Sequence, residues 1–313
     1  MTASMNTGNT AFLNRDVVYS AQLKEILEDE LLAMRYVNWL SGFPDGDTFT
    51  IPSIGKAVAY DYQEGDAVQY RALDTGEFNF QITEYLASGH SISKKAMQDL
   101  FYAEQLMSKF VPEQERAILE RLESDILGLQ SQQTAAATNS INGRKHRYVA
   151  TGTNDVLALA DVAYANLALN VANVPATGRV AIVGPETAYT LETLSNLVSV
   201  SNNPMWEGIV STGIATGMKF IKNVYGFDVY MSNRLDTIGT ETLETVDISG
   251  YNANLFFSAD AEPFVGAWRQ MPMVEQKWDM DFQEMRFVTT CRYGVDLYRP
   301  ESLVVVMTDP TAV

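Results

Sequence analysis

A run of strand-like residues broken by turns, residues 49–82, constrains the fold of this chain most. FTIPSI at residues 49–54 has β character, QEGD at residues 63–66 has turn chemistry, and Phe78 and Phe80 alternate with polar residues. Few of these residues fit a strand that is buried on both of its faces, so the pattern predicts a long β-hairpin that projects from the body. Because an isolated hairpin is marginally stable in water, this one needs another surface to lie on. A neighbouring copy of the chain is the obvious candidate.

The apolar side chains of this hairpin are the predicted contacts with a neighbouring subunit. They are Tyr60, Tyr62, Val68, Tyr70 and Phe78. Burying apolar surface gains roughly 25 cal/mol per Å², and the loss of freedom on association offsets much of that gain. Single contacts between subunits therefore stay weak, while many copies together form a durable assembly.

Composition limits the classes of function that remain. The 313 residues carry 22 Lys and Arg against 39 Asp and Glu, a formal net charge of −17 that disfavours direct nucleic-acid binding as the main activity. Cys291 is the only cysteine, so the chain forms no intrachain disulfide and suits a reducing cytosol. Residues 1–14 are polar, which predicts no signal peptide, and no apolar stretch is long enough to cross a bilayer.

Helical spacing recurs in several segments. Apolar residues predict a helix over residues 17–34 and another over residues 93–108. A long helix is predicted to begin at Pro112, because proline is tolerated in a first helical turn. The apolar stripe of this helix comprises Ile118, Leu122, Ile126 and Leu129. The charged residues that are expected to face outward are Glu120, Arg121, Glu123 and Asp125.

The remaining segments alternate between helix and strand. One helix is predicted to start at residue 154 or 155, and another to span residues 185–200. Strands are predicted at residues 179–183, 218–224, 227–231, 251–257, 264–271, 287–291, 294–298 and 303–307. This order predicts an α+β fold. No internal repeat is present.

A search for catalytic chemistry finds little. The two histidines, His90 and His146, limit acid–base and metal chemistry. GHSIS at residues 89–93 approaches the hydrolase motif G-x-S-x-G, but Ser93 stands where the final glycine is needed. A polar cap at the start of a helix is favoured over a catalytic Ser91. The sequence thus predicts no catalytic, cofactor or metal site, and a structural protein rather than an enzyme.

A basic cluster lies in the break between two helices. Arg144, Lys145 and Arg147 surround His146 in this segment. In a chain this acidic, pairing with acidic residues of a neighbouring subunit is favoured over contact with DNA. The acidic pairs Asp279 with Asp281 and Glu241 with Glu244 have no calcium-loop glycine pattern, which favours a solvated surface for both pairs.

Four segments, taken in order, resemble the major capsid proteins of tailed bacteriophages. The hairpin described above, followed by residues 77–93, is similar to that of podovirus-type coat proteins. The other three are IVGPETAYTL at residues 182–191, YGFDVYMSN at residues 225–233 and YGVDLYRPESLVVV at residues 293–306. The likeness spans nearly the whole chain, and the order of the motifs is more specific than any one of them.

This resemblance implies the Hong Kong 97-type fold, which encapsulin shells share. It implies an N-terminal arm at residues 1–45, an extended hairpin called the E-loop at residues 46–90, and an axial domain at residues 176–267. The peripheral domain, with a long spine helix, would comprise residues 91–175 and 268–313. Some family members crosslink covalently, but no second-site motif accompanies Lys56, so no crosslink is predicted.

The function implied is self-assembly through hexamers and pentamers into the icosahedral head shell of a virion, built in the bacterial cytoplasm around double-stranded DNA. Implied partners are other copies of the chain, a scaffolding protein, a portal and a decoration protein, without a membrane. An encapsulin-type compartment is the nearest alternative. A serine hydrolase using Ser91 and a tail-tube or adhesin subunit are more distant ones.

Overall fold

The computed structural model describes residues 31–41, 48–54, 75–99, 103–133, 137–193 and 220–312, with single positions between 57 and 67. Within these residues the helices are α1 (Lys94–Asp99), α2 (Ala103–Gly128), α3 (Leu159–Val171) and α4 (Pro185–Thr193). The first strands are β1 (Val37–Leu40), β2 (Thr48–Ile54), β3 (Thr75–Gln81), β4 (Glu84–Ser93), β5 (Ser140–Ile141), β6 (Arg144–Lys145), β7 (Arg147–Val149) and β8 (Arg179–Val183). The later strands are β9 (Phe220–Val224), β10 (Phe227–Met231), β11 (Thr242–Leu243), β12 (Val246–Asp247), β13 (Asn252–Ser258), β14 (Phe264–Asp279), β15 (Glu284–Leu297) and β16 (Leu303–Thr308).

The larger sheet of the described chain has the strand order β7-β16-β13-β8-β10-β9. β8 pairs in parallel with β10 and antiparallel with β13, whose other neighbour is β16. The apolar runs of β8 and β16 are buried along their whole length, as expected for strands covered on both faces. Helices α3 and α4 cover one face, where Leu169 and Leu191 pack with Ala181 and Val304.

The second sheet has the order β1-β14-β15-β4. β14 and β15 form a long antiparallel hairpin, from the pair Phe264 and Leu297 to the pair Asp279 and Glu284, with irregular register near Gln270. β4 pairs antiparallel with the outer part of β15, and β1 adds a parallel strand beside the start of β14.

Helix α2 packs against this second sheet and connects it to the first. Ile118, Leu122 and Ile126 repeat every four residues, so they share one face of the helix, and all three are buried. They join a core with Phe257 of the larger sheet and Tyr293 of the second sheet. The predicted spine helix is therefore present and lies between the two sheets.

The two faces of the β14–β15 hairpin carry different elements near its inner end. Residues directly paired across the strands share a face, so Gly266 lies on one face with Val295, and Ala267 lies on the other with Gly294. The first face meets α2 and Trp39 of β1. The second face meets Phe80 and Ile82, where the chain leaves β3 for β4.

Several predicted boundaries were wrong. The long helix begins at Ala103 rather than at Pro112, which lies inside it. An interior proline removes one helical hydrogen bond, and the packing of the downstream apolar stripe offsets that loss. The strands predicted at residues 287–291 and 294–298 are one strand, β15, and the strand predicted at 264–271 continues to Asp279.

The junction with the predicted N-terminal arm also differs from expectation. Helical spacing was predicted through residue 34, but Ala33–Tyr36 is a short 3₁₀ turn and Val37–Leu40 is a strand. Parallel pairing with β14 stabilises a strand in this segment, although the local spacing of its apolar residues is helical. Residues 17–30 of that prediction lie outside the described residues.

The larger sheet crosses the predicted domain division. β16 and β7, predicted within the peripheral domain, pair with each other, and β16 pairs with β13 of the predicted axial domain. A strand's partner is set by tertiary packing, so the pattern of apolar residues in β16 predicted the strand and not its sheet. The precise domain limits remain a prediction.

Candidate assembly site

The predicted hairpin is present at its base. β2 and β3 pair antiparallel from Thr48 with Gln81 to Ile54 with Thr75, and they form a two-stranded sheet of their own in the described chain. Most of their described side chains are exposed. Phe78 is half-buried, with its ring centroid 5.1 Å from that of Tyr298 in an edge-to-face contact. The other predicted contacts, Tyr60, Tyr62, Val68 and Tyr70, lie outside the described residues.

Phe80 and Ile82 attach this hairpin to the body. Both side chains are buried, and they pack against Val265 and Ala267 of β14. The alternation that predicted β3 therefore has a specific meaning at its end. Its last apolar residues hold the hairpin to its own subunit, while Glu77 and Asn79, further out, are exposed.

A buried carboxylate fixes the chain just before β1. Glu123 of α2 is fully buried, and its Oε1 accepts the backbone N–H groups of Leu32 and Ala33, each at 2.8 Å. Its Oε2 accepts the N–H of Ala33 at 2.9 Å. The sequence placed Glu123 on the outward face of the helix, which was wrong. Backbone donors are not visible in a pattern of side chains, so no sequence signal could identify this contact.

Aromatic stacking continues the attachment along β1. The rings of Trp39 and Trp268 are stacked with centroids 5.2 Å apart, and Tyr36 meets Phe257 edge-to-face at 5.3 Å. Burial, with Tyr230 nearby, raises the pKa of Tyr36 to about 12. The residues that lead from the predicted arm into the body thus contact the spine helix and both sheets.

The outer half of the β14–β15 hairpin, from the middle of β14 to the turn, exposes large apolar side chains. Met280 and Phe282 are 77% and 70% exposed, and Met271, Met273 and Val274 are also exposed. The turn itself is ordered, because Asp279 Oδ1 accepts the N–H groups of Asp281 and Phe282 at 2.9 and 3.2 Å. These N–H groups, chiefly that of Phe282, lower the pKa of Asp279. We call Met271, Met273, Val274, Met280 and Phe282 the apolar tip.

The predicted basic cluster meets the predicted acidic pair within the same chain. Lys145 forms an ion pair with Glu244, and Arg147 forms a two-bond ion pair with Glu241, of which the Nη2–Oε2 distance is 2.7 Å. Arg147 is 2% exposed, so it serves its own subunit and not a neighbour. Arg144 is exposed. The interpretation as a solvated pair was wrong for Glu241, which is largely covered in its ion pair with Arg147, while Glu244 is exposed as expected.

The motif around Ser91 is not a nucleophile elbow. Ser91 lies within the regular strand β4, paired with Arg286, so the strand–turn–helix bend of a hydrolase is not formed there. His90 and Ser91 are adjacent in a strand and point to opposite faces of the sheet. His90 Nδ1 lies 2.9 Å from Gln114 Nε2, and the same nitrogen of Gln114 donates to the carbonyl of Phe287 at 3.1 Å. His90 thus helps to join the spine helix to the sheet.

The described residues contain no group of three or more His, Cys, Asp or Glu side chains placed to hold a metal ion. No helix among the described residues has the length and apolar character needed to span a membrane. Cys291 is buried on β15, and this burial raises the pKa of its thiol. Trp268 packs against the core, with its ring stacked on that of Trp39.

Comparison with known proteins agrees with this architecture. A family model described as phage capsid protein matches residues 75–306. A structure titled "Mycobacterium phage Che8" is 19% identical, with a TM-score of 0.69 over 97% of this chain and 100% of that one. The capsid structure of cyanophage P-SCSP1u is 15% identical, with a TM-score of 0.73 over 99% and 97%. The capsid of a native GTA particle is 12% identical, with a TM-score of 0.68 over 97% and 99%.

None of the curated proteins compared with the chain matches it significantly. The family match covers well over half of the sequence, and the structural neighbours share the fold along almost its full length. The fold is the Hong Kong 97 type, the fold of these phage capsid structures. The chain belongs to the phage capsid protein family.

Proposed function

We propose that this chain is the major capsid protein of a tailed phage, assembling through hexamers and pentamers into the icosahedral shell around packaged double-stranded DNA. The observation that carries the mechanism is the β2–β3 ladder, which stands outside both large sheets with most of its described side chains exposed. A two-stranded hairpin is marginal alone, so it gains stability when it covers another surface. In the proposed shell that surface belongs to the neighbouring subunit.

The same reasoning extends to the apolar tip. A contact between different surfaces of two identical subunits generates rings, which is the geometry of pentamers and hexamers. The hairpin and the apolar tip are separate surfaces of one subunit, and both leave apolar side chains for such contacts. Arg144 and Lys145 remain candidates for ionic contacts between subunits.

The acidic charge of the subunit suits a container for DNA. A net charge of −17 disfavours adhesion to phosphate, so the packaged DNA is enclosed without sequence-specific binding. A scaffolding protein, a portal and a decoration protein are the proposed partners, with assembly in the host cytoplasm and residence in the virion. The proposed role is structural and not enzymatic, which is consistent with the strand position of Ser91.

The test removes the apolar residues of the hairpin without shortening it. Tyr60, Tyr62, Val68 and Tyr70 are changed together to Ser, and the matched control changes the polar residues Asp61, Gln63 and Gln69 to Ser. The apolar set is expected to give a folded subunit, judged by circular dichroism and thermal unfolding, that forms no closed shells in electron micrographs. The control is expected to form shells like the wild type. Normal shells from the apolar set would contradict the proposal.

A further inference from the structure

Two extensions of the subunit are attached back to back on the β14–β15 hairpin. Trp39 of β1 lies over Gly266 on one face, and the chain at Gln81 and Ile82 lies over Gly294 on the other. Gly266 pairs with Val295, and the adjacent pair joins Ala267 to Gly294. The two attachment points therefore lie at adjacent residue pairs of the same ladder.

The space at Gly294 is limited by backbone. A Cβ atom there would lie 2.7 Å from the carbonyl oxygen of Gln81, 2.9 Å from Cα of Ile82 and 3.2 Å from Cζ of Phe80. Ordinary carbon contacts begin at about 3.5 Å. Because the first two of these atoms belong to the backbone, no change of side-chain rotamer can relieve the overlap. The segment that leaves β3 would itself have to move.

The space at Gly266 is limited by side chains instead. A Cβ atom there would lie 2.8 Å from Cζ3 of Trp39 and 2.9 Å from Cγ1 of Val37. Both are side-chain atoms, so adjustment of the rings and methyl groups can absorb part of the change. The contact of β1 with Gly266 can therefore adjust to an added Cβ atom through its side chains, while the contact of the hairpin with Gly294 cannot.

We infer that Gly294 is a positioning residue that sets the direction in which the β2–β3 hairpin leaves the body, and so determines where its outer part meets the next subunit. This inference rests on the proposed function. Seven residues of strand at roughly 3.3 Å each form a lever about 23 Å long, so a tilt of roughly 10° at the base moves its far end by about 4 Å. Close-packed contacts do not tolerate a displacement of that size.

The first test measures the direction of the hairpin in free subunits. Spin labels are placed on Glu77→Cys in β3 and Tyr189→Cys in α4, both exposed positions, while Cys291 is buried. Glu77 lies four residues before Gln81, roughly 13 Å along the strand, so Gly294→Ala is expected to shift the distance between the labels by about 2 Å. The matched control is Gly89→Ala in β4 of the same sheet, where a Cβ would make ordinary contacts of 3.5 and 3.6 Å. The control is expected to leave the distance unchanged.

The second test measures assembly. Gly294→Ala is expected to lower the yield of closed shells of wild-type diameter by at least tenfold, and Gly89→Ala to leave it within twofold. An unchanged distance and an unchanged shell yield in soluble Gly294→Ala would overturn the inference. If wild-type subunits form no shells even with their scaffolding protein present, the proposed function fails, while the distance measurement still decides the role of Gly294.

A further variant covers the case in which Gly294→Ala does not fold. Phe80→Leu keeps Gly294 and removes ring atoms from the contact, so it loosens the attachment without a backbone overlap. It is expected to broaden the distribution of label distances and to lower the yield of closed shells. A distribution as narrow as that of the wild type, with normal shells, would also overturn the inference.

Discussion

The two sheets of this subunit differ in how deeply their strands are buried. In the larger sheet, β8 and β16 are buried at every residue. In the second sheet, β14 begins with four buried residues and ends in a mostly exposed segment that leads to the apolar tip. The larger sheet is therefore expected to contribute more to the stability of the subunit, while the outer part of the second sheet leaves large apolar side chains exposed. Substitutions in the two sheets should therefore lower the free energy of unfolding of the subunit by different amounts.

The largest effect is expected in the larger sheet. Phe256 is fully buried and meets Phe227 edge-to-face, with ring centroids 5.3 Å apart. Phe256→Ala should lower the free energy of unfolding by about 3–5 kcal/mol, since it leaves a cavity in a close-packed core. Urea denaturation of purified subunits measures this loss. A loss below about 1 kcal/mol would mean that the larger sheet does not dominate stability.

A smaller effect is expected where the arm segment meets the spine helix. Glu123→Gln replaces one acceptor oxygen by an NH₂ group facing backbone N–H donors, and should cost about 2–3 kcal/mol. The matched control is Glu120→Gln on the same helix, a partly exposed residue paired with Arg116 and Arg234. The control should change stability by about 0.5 kcal/mol or less. Equal losses from the two variants, measured by urea denaturation, would remove Glu123 from its role as an anchor.

A pH-dependent effect is expected at the edge of the larger sheet. His146 is buried, and its burial lowers the pKa below the ordinary value, against the opposing carbonyls of Arg144 and Glu301. The unfolded chain therefore binds the proton more readily than the folded one. The contribution of neutral His146 is fully present above about pH 6.5 and declines as the pH falls below that value.

Urea denaturation between pH 7.5 and pH 5 measures this contribution. His146→Gln should show a smaller loss of stability on acidification than the wild type. If His146→Gln loses stability with falling pH as steeply as the wild type, the buried histidine does not sense pH.

The smallest effect on stability is expected at the apolar tip. The double change Met280→Ser and Phe282→Ser should alter the free energy of unfolding by about 0.5 kcal/mol or less, because both side chains are exposed. Shell formation, measured by light scattering and electron microscopy, should nevertheless be lost. Glu275→Ser with Asp281→Ser, exposed polar positions of the same hairpin, should assemble normally. Normal assembly by the Met280 and Phe282 variant would show that the tip is not a contact surface.

The sequence predicted local elements better than their partners. Apolar spacing predicted the stripe of Ile118, Leu122 and Ile126, and alternation predicted β3, because both patterns depend on neighbouring residues. The sheet to which β16 belongs depends on distant contacts and could not be read in this way. The extension of α2 beyond Pro112 was missed for a related reason, since tertiary packing outweighs the local cost of proline.

Among the candidate contacts, too, the sequence predicted the local features and missed those that depend on distant residues. The hairpin was predicted because few of its residues have the apolar pattern of a strand that is buried on both faces. The ion pairs of Lys145 with Glu244 and Arg147 with Glu241 were missed, since they join segments about a hundred residues apart in sequence. The close approach of Gly294 to Gln81 was likewise invisible, because a glycine in a strand does not reveal which backbone it faces.

Hydrogen–deuterium exchange of residues 57–73 in free subunits and in assembled particles tests the central claim most directly. If this part of the hairpin becomes ordered by lying on an adjacent copy, its backbone amides should exchange at least tenfold more slowly in particles than in subunits. Equal and strong protection in both states would show that the segment is ordered by its own subunit, and it would contradict the account.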